Sequence, residues 1–293
     1  MMSRHITQFE VEENSNALPA FPRVIADLMQ TLDDPDANLK VMVEYISRDP
    51  VVAGHVFARA NTVHYLTRSR HKIEDLQAAA SLIGMAGLRE TITMVSMAGF
   101  FSDDTAAKVS PAFWRHSIVT GVCAKHLSEH VGIPPQVAML AGLLHDVGQL
   151  WLHRFVPDAF ALVRTIALQN GMGIDVAERK SFGVDHTTIG AWLTKSWGLP
   201  DAITLAIKSH HAPDSALHEP LVPVLHVAEV LSNALELNDG DTNRVHYVSA
   251  NACQALGLNW EEPSCHSLLA RIEAISRHMM AYYPPTKSAL NVA

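Results

Sequence analysis

The string Ala141-Gly142-Leu143-Leu144-His145-Asp146-Val147-Gly148-Gln149 ends an apolar helical turn with adjacent histidine and aspartate. An ionised aspartate among apolar residues costs several kcal/mol unless a cation or strong hydrogen-bond donors face it, so Asp146 needs a partner. A divalent metal ion is one candidate, helped by the negative end of the helix dipole if Gly148 caps this helix at its C-terminus. A cation needs more than two ligands. His116 lies on a preceding long helix whose inner face continues through Val119, Thr120 and Cys123. His186 follows Asp185 at a helix start, the His210-His211 pair ends another short helix, and Glu229 is the only carboxylate in an apolar stretch. Imidazoles and carboxylates converging from separate elements suit a hard-to-borderline divalent ion. Taken singly, each histidine reads as a structural group ahead of a ligand, and His126, His130, His153, His246, His266 and His278 are left with that reading.

The 17 histidines carry the chemical content of the composition, because imidazole serves both as metal ligand and as near-neutral acid or base. Cys123, Cys253 and Cys265 are an odd number at wide spacings without a CxxC pair, which argues for buried, reduced thiols over disulfides or a zinc ribbon. A net charge of -8 disfavours binding to a nucleic-acid backbone, and Arg68-Ser69-Arg70-His71-Lys72 is a local exception that reads as a solvated loop. The first ten residues hold no apolar signal core and no later run reaches the length of a membrane span, so the expectation is a cytoplasmic protein without membrane contact.

With 48% hydrophobic and 18% charged residues, the chain of 293 can bury one large core or two smaller ones. Residues 1–17 are polar and aperiodic and read as a flexible arm. Apolar residues then recur at helical spacing, in Val24, Leu28, Met29 and Leu32 after Pro22, and in Leu39, Met42, Val43 and Ile46. Asp49-Pro50 reads as the junction of two helices. The pattern breaks at Gly84 and Gly87 and resumes from Leu88 to Phe101. A long helix is expected from about Ala112 to Val131, then one from about Pro135 to Asp146, and no period-two strand is evident. The polar segment Phe101 to Ser110 divides an N-terminal helical lobe, 18–105, from a second helical lobe, 106–293, unless both share one core.

Trp114-Arg115-His116 followed by His145-Asp146 resembles the HD superfamily of metal-dependent phosphohydrolases. Leu18-Pro19-Ala20-Phe21-Pro22-Arg23-Val24, Ile46-Ser47-Arg48-Asp49-Pro50, Ala60-Asn61 and Leu82-Ile83-Gly84-Met85-Ala86-Gly87-Leu88-Arg89 together resemble the HDOD domain, the HD-related output domain of bacterial signalling proteins. Gly183-Val184-Asp185-His186 and Trp197-Gly198-Leu199-Pro200 extend the likeness over about residues 17–215. The resemblance implies an all-α, multi-helical fold with an N-terminal lobe packed on an HD-like lobe, and a role in bacterial signal transduction.

By that resemblance His116, His145 and Asp146 match the first three HD positions and Glu229 stands at the distal aspartate. Against the related HD-GYP phosphodiesterases, His186, His210 and His211 fall at further metal-ligand positions. Gln149 replaces the lysine expected after His-Asp-x-Gly, and Ala212-Pro213-Asp214-Ser215 follows His211 where Gly-Tyr-Pro is expected. Both departures weaken a cyclic di-GMP phosphodiesterase reading. Two readings stay open. One is a regulatory module acting through a signalling partner protein, with a nucleotide or cyclic dinucleotide as candidate ligand. The other is a phosphohydrolase in which divalent ions polarise a phosphoryl group and activate water, with Asp146 and His145 as catalytic residues. Iron, manganese, nickel, magnesium and zinc all suit such a site, and no other cofactor is implied.

Overall fold

The computed structural model describes residues 4–14, 39–47, 50–66, 73, 75–102, 111–235 and 247–282. Among these every regular element is helical, so the all-α expectation holds. The Leu18 to Val24 motif, the stripe through Leu32, the Arg68 to Lys72 stretch and His246 lie outside the described residues.

The chain divides into two compact units, residues 19–103 and residues 1–18 with 104–293. The first contains α1 (Leu39–Ile46), α2 (Pro50–Leu66) and α3 (Leu76–Ser102). Its core joins Met42 and Ile46, from the stripe read by helical periodicity, to Val56, Ala60, Leu88 and Ile92. Gly84, at φ 68°, kinks α3 where the sequence pattern breaks. Asn61 ties the end of α2 to the chain before α3, accepting from the Ile73 N–H at 2.8 Å and donating to the Ile73 carbonyl at 3.2 Å.

The second unit begins with α0 (Gln8–Glu13), placed before α1 in the chain. The expectation of a flexible arm fails for residues 4–14. Thr7 caps the helix by accepting from the Glu10 N–H, the Ile6 N–H donates to the Phe182 carbonyl, and Ile6 and Val11 are buried in the core with Trp151, Phe160 and Phe182. One or two apolar contacts with a distant element are invisible to a local hydrophobic pattern, yet burying Val11 alone stabilises by roughly 1.5–3 kcal/mol.

The remaining helices are α4 (Pro111–Leu127), α5 (Pro135–Leu144), α6 (Val147–Phe155), α7 (Pro157–Asn170), α8 (Ile174–Phe182), α9 (His186–Ser196), α10 (Asp201–Ser209), α11 (Leu221–Ala234), α12 (Ala250–Ala255) and α13 (Pro263–Tyr282). The long helix expected to reach Val131 stops at Leu127 and tightens into a 3-10 turn, Ser128–His130. The next ends at Leu144, two residues before the expected Asp146. Helix α4 packs on α5, α11 and α13, while α9 packs on α6, α10 and α0, so the helices bearing the predicted ligands surround one interior. Cys123, Cys253 and Cys265 are buried free thiols, as their spacing suggested.

Candidate metal centre

His116 and His145 are brought together by the close approach of α4 and α5. A Cβ on Gly142 would fall 2.6 Å from the Gly121 Cα, so a side chain there would force the two backbones apart. With the gap closed, His145 Nε2 lies 3.1 Å from His116 Nε2. His145 Nδ1 is 2.7 Å from the Gly142 carbonyl, an acceptor, which places a proton on Nδ1 and turns Nε2 inward. Ser232 Oγ stands 3.1 Å from His116 Nδ1 and fixes that ring from α11.

Asp146 sits at the corner between α5 and α6, at the N-cap position of α6. An N-cap aspartate ordinarily accepts from the helix's first N–H groups, but this side chain makes no such bond and turns into the interior instead. Its Oδ2 lies 3.3 Å from His145 Nε2 and 3.9 Å from His116 Nε2, while Oδ1 lies 3.3 Å from His186 Nε2 and 3.9 Å from His210 Nε2. The sequence expectation that Gly148 caps the preceding helix is corrected here. Gly148 lies inside α6, and Asp146 meets the positive end of that helix, a dipole that favours its negative charge. The reason for glycine is contact, because a Cβ on Gly148 would overlap the His186 carbonyl oxygen and come 2.9 Å from the Gly190 nitrogen.

That contact sets the start of α9, where His186 is the first residue. Asp185 caps the helix by accepting from the Thr188 N–H at 2.9 Å, and Arg179 of α8 pairs with the same carboxylate. His186 Nε2 lies 3.0 Å from His211 Nε2. His210 Nδ1 donates to the Ile207 carbonyl at 2.7 Å, and its Nε2, fully buried, has no hydrogen-bond partner. Glu229 of α11 lies 3.8 Å from His210 Nε2 and 3.9 Å from His211 Nδ1 through Oε2, and neither of its buried oxygens accepts a hydrogen bond.

All seven residues predicted from the sequence therefore converge. Six of them form two sets, His116 with His145 and Asp146, and His186 with His210 and His211, in each of which the donor atoms lie within 4.8 Å of one another. Asp146 offers one oxygen to each set. Glu229 falls beside the second set, although the HD resemblance pairs it with His116, His145 and Asp146.

Burial decides the electrostatics. His145, Asp146, His186, His210 and Glu229 have 0% exposure, and His116 has 5%, so water does not satisfy them. Burial, reinforced by neighbouring His145 and opposed by Asp146, lowers His116 to about 3. Burial and neighbouring histidines push His210 and His211 well below the usual imidazole range, leaving neutral rings. Burial works against charge on Asp146, but His145, then His186 and His116, outweigh it and hold the carboxyl well below its usual range. Burial also opposes charge on His186, yet Glu178 and Asp146 raise it to about 10. Burial and Asp146 push Glu229 well up. The bare nitrogens of His116, His210 and His211, a dry ionised carboxylate and a buried glutamate that accepts no hydrogen bond fit the donor set of a divalent ion.

Sequence reasoning missed Glu178 and Ser232. Glu178 is fully buried, with Oε2 2.6 Å from His186 Nδ1. Its signal was present, since Ile174, Ala177, Glu178 and Phe182 form one buried helical stripe in which a glutamate stands among apolar residues. Ser232 carries no such mark. Among the histidines read as structural, His153 packs edge-on against Phe160 with ring centroids 4.8 Å apart, and His126 is buried near Glu129.

Comparison with known proteins adds the family. The family model described as HDOD domain matches residues 18–213. An uncharacterized protein of Treponema pallidum is 23% identical over 240 residues, covering 79% of this chain and 45% of the relative. Ribonuclease Y of Aquifex aeolicus is 29% identical over 119 residues, covering 41% of this chain and 16% of that protein. The chain thus spans less than half the length of these curated relatives. The crystal structure of an HDOD domain protein of unknown function from Geobacter sulfurreducens has a TM-score of 0.74 at 23% identity, covering 92% of this chain and 97% of that one. A protein of Marinobacter aquaeolei, provisionally described as acting in signal transduction, gives 0.72 at 22% identity, covering 96% of this chain and 61% of that one. One of Shewanella amazonensis, provisionally described as a phosphohydrolase, gives 0.68 at 22% identity, covering 90% and 93%. These likenesses share the all-helical fold, and the family match, which spans more than half of the residues, identifies the chain as a member of the HDOD family.

Proposed function

We propose that this HDOD protein is a bacterial signalling module whose second unit holds two divalent metal ions, and that it acts by binding a protein partner or a nucleotide-like ligand. The carrying observation is Asp146, whose two oxygens each face a separate histidine set. His116 and His145 would hold one ion, His186, His210 and His211 the other, with Glu229 beside the second. Gln149 supports regulation over hydrolysis. It is buried, its side-chain nitrogen has no hydrogen-bond partner, and it offers no positive charge to a substrate phosphate.

Elemental analysis of protein expressed with iron, manganese, nickel and zinc tests the metal reading. Close to two ions per chain in the wild type, with marked loss in Asp146→Ala, is the expected result. Equal content in the two proteins would contradict it.

A second reading, a metal-dependent phosphohydrolase, draws on the completeness of the donor set. A bound divalent ion would supply Lewis acidity toward a phosphoryl oxygen and lower the pKa of water. In that reading Asp146 and His145 orient the reacting groups. Metal-dependent turnover of a phosphodiester or nucleotide, abolished by Asp146→Ala, would establish it, and its absence from metal-loaded protein would leave the regulatory reading.

A further inference from the structure

His145, His186 and His210 are each anchored through Nδ1, but the anchors differ in chemistry. His145 and His210 each meet a backbone carbonyl, at 2.7 Å in both cases. His186 meets a carboxylate. Glu178 Oε2 lies 2.6 Å from His186 Nδ1 and accepts the His186 backbone N–H at 2.7 Å. Glu178 has 0% exposure, and its other oxygen has no hydrogen-bond partner, so its charge is directed at this one residue.

A carboxylate behind an imidazole does more than a carbonyl does. It fixes the proton on Nδ1, aims Nε2, and raises the electron density of the ligating nitrogen. The nitrogen so aimed lies 3.3 Å from Asp146 Oδ1 and 3.0 Å from His211 Nε2, on the side of the second histidine set.

We infer that Glu178 is a positioning residue for the second metal position, acting through His186 on the ion held with His210 and His211 and leaving the His116–His145 position unaffected. This inference rests on the two-ion reading above. The competing explanation is structural. Glu178 also caps the first turn of α9, and a capping role alone is one that glutamine, with an amide oxygen to accept the same N–H, would preserve.

The test uses the full chain stripped of metal and titrated with cobalt(II), comparing wild type with Glu178→Gln and following each ion by its absorption. Thermal unfolding of the metal-free proteins checks that the variant folds. The expected result is two ions on the wild type, and in Glu178→Gln one ion bound as before and the other weakened about 10–100-fold. Unchanged binding of both ions, or equal weakening of both, overturns the inference. Fewer than two ions on the wild type would instead bring down the two-ion reading. Nitrogen-15 NMR of the histidine rings separates the cases without metal. A proton held on His186 Nδ1 in the wild type and lost from it, in whole or in part, in Glu178→Gln supports the role of Glu178, and identical ring signals refute it.

Discussion

Asp146 Oδ1 lies 3.3 Å from His186 Nε2, between two helix starts that pack closely because Gly148 has no side chain. The same carboxylate reaches His145 through its other oxygen at 3.3 Å. One side chain at the corner of α5 and α6 therefore links groups carried by two separate helix pairs, α4 with α5 and α9 with α10. That placement costs α6 a side-chain cap, and it leaves a buried charge whose natural counterpart is a cation.

Glu229 is costly to bury without a cation. Burial and the nearby charge of Asp146 oppose its ionisation, and neither oxygen accepts a hydrogen bond. Glu229→Gln, which cannot ionise, is expected to melt higher than wild type at neutral pH when both are metal-free, and to bind divalent ions more weakly. Paired thermal melts with and without chelator check both halves of the prediction, and an unchanged metal affinity would place Glu229 outside the centre.

Gly148→Ala tests the packing that positions His186. The added methyl overlaps the His186 carbonyl oxygen, a backbone atom that cannot rotate away, so α6 and α9 must separate. A loss of about 1–3 kcal/mol in urea unfolding is expected, together with weaker metal binding. An unchanged unfolding midpoint would show that the two helices do not pack as described.

How legible this was from sequence depends on distance along the chain. The ligand types stood out because histidine and carboxylate are rare in apolar stripes, and the helical turns around His145, His186 and His210 could be read locally. The error at Gly148 came from treating a glycine after an apolar helix as its cap, when the constraint is imposed by His186 and Gly190 on another helix. The same limit hid α0, whose Val11 is buried by helices far away in sequence. Glu229 was assigned by family position to the first set, and only side-chain reach in three dimensions puts it beside His210 and His211. Ser232 is chemically ordinary in sequence, and its bond to His116 depends on α11 crossing α4.

Acid should weaken the fold through Asp185. Burial raises the pKa of this carboxyl, but His186, the Thr188 N–H and the Thr187 hydroxyl outweigh that and lower it from 3.8 to about 2. A carboxyl whose folded pKa is depressed stabilises above its unfolded value and loses that contribution as pH falls through the folded one. The contribution, roughly 2 kcal/mol, is present above 3.8 and lost on approach to about 2. Asp185→Asn can still cap α9, but its unfolding free energy should fall less steeply than that of wild type across this window. Parallel slopes in denaturant titrations across the window would contradict the assignment.

The most direct measurement is anomalous diffraction from crystals grown with manganese or zinc. Two peaks are expected, one among His116, His145 and Asp146 and the other among Asp146, His186, His210 and His211, and both should vanish in Asp146→Ala. A single peak, or peaks that survive the loss of Asp146, would contradict a centre linked by this carboxylate.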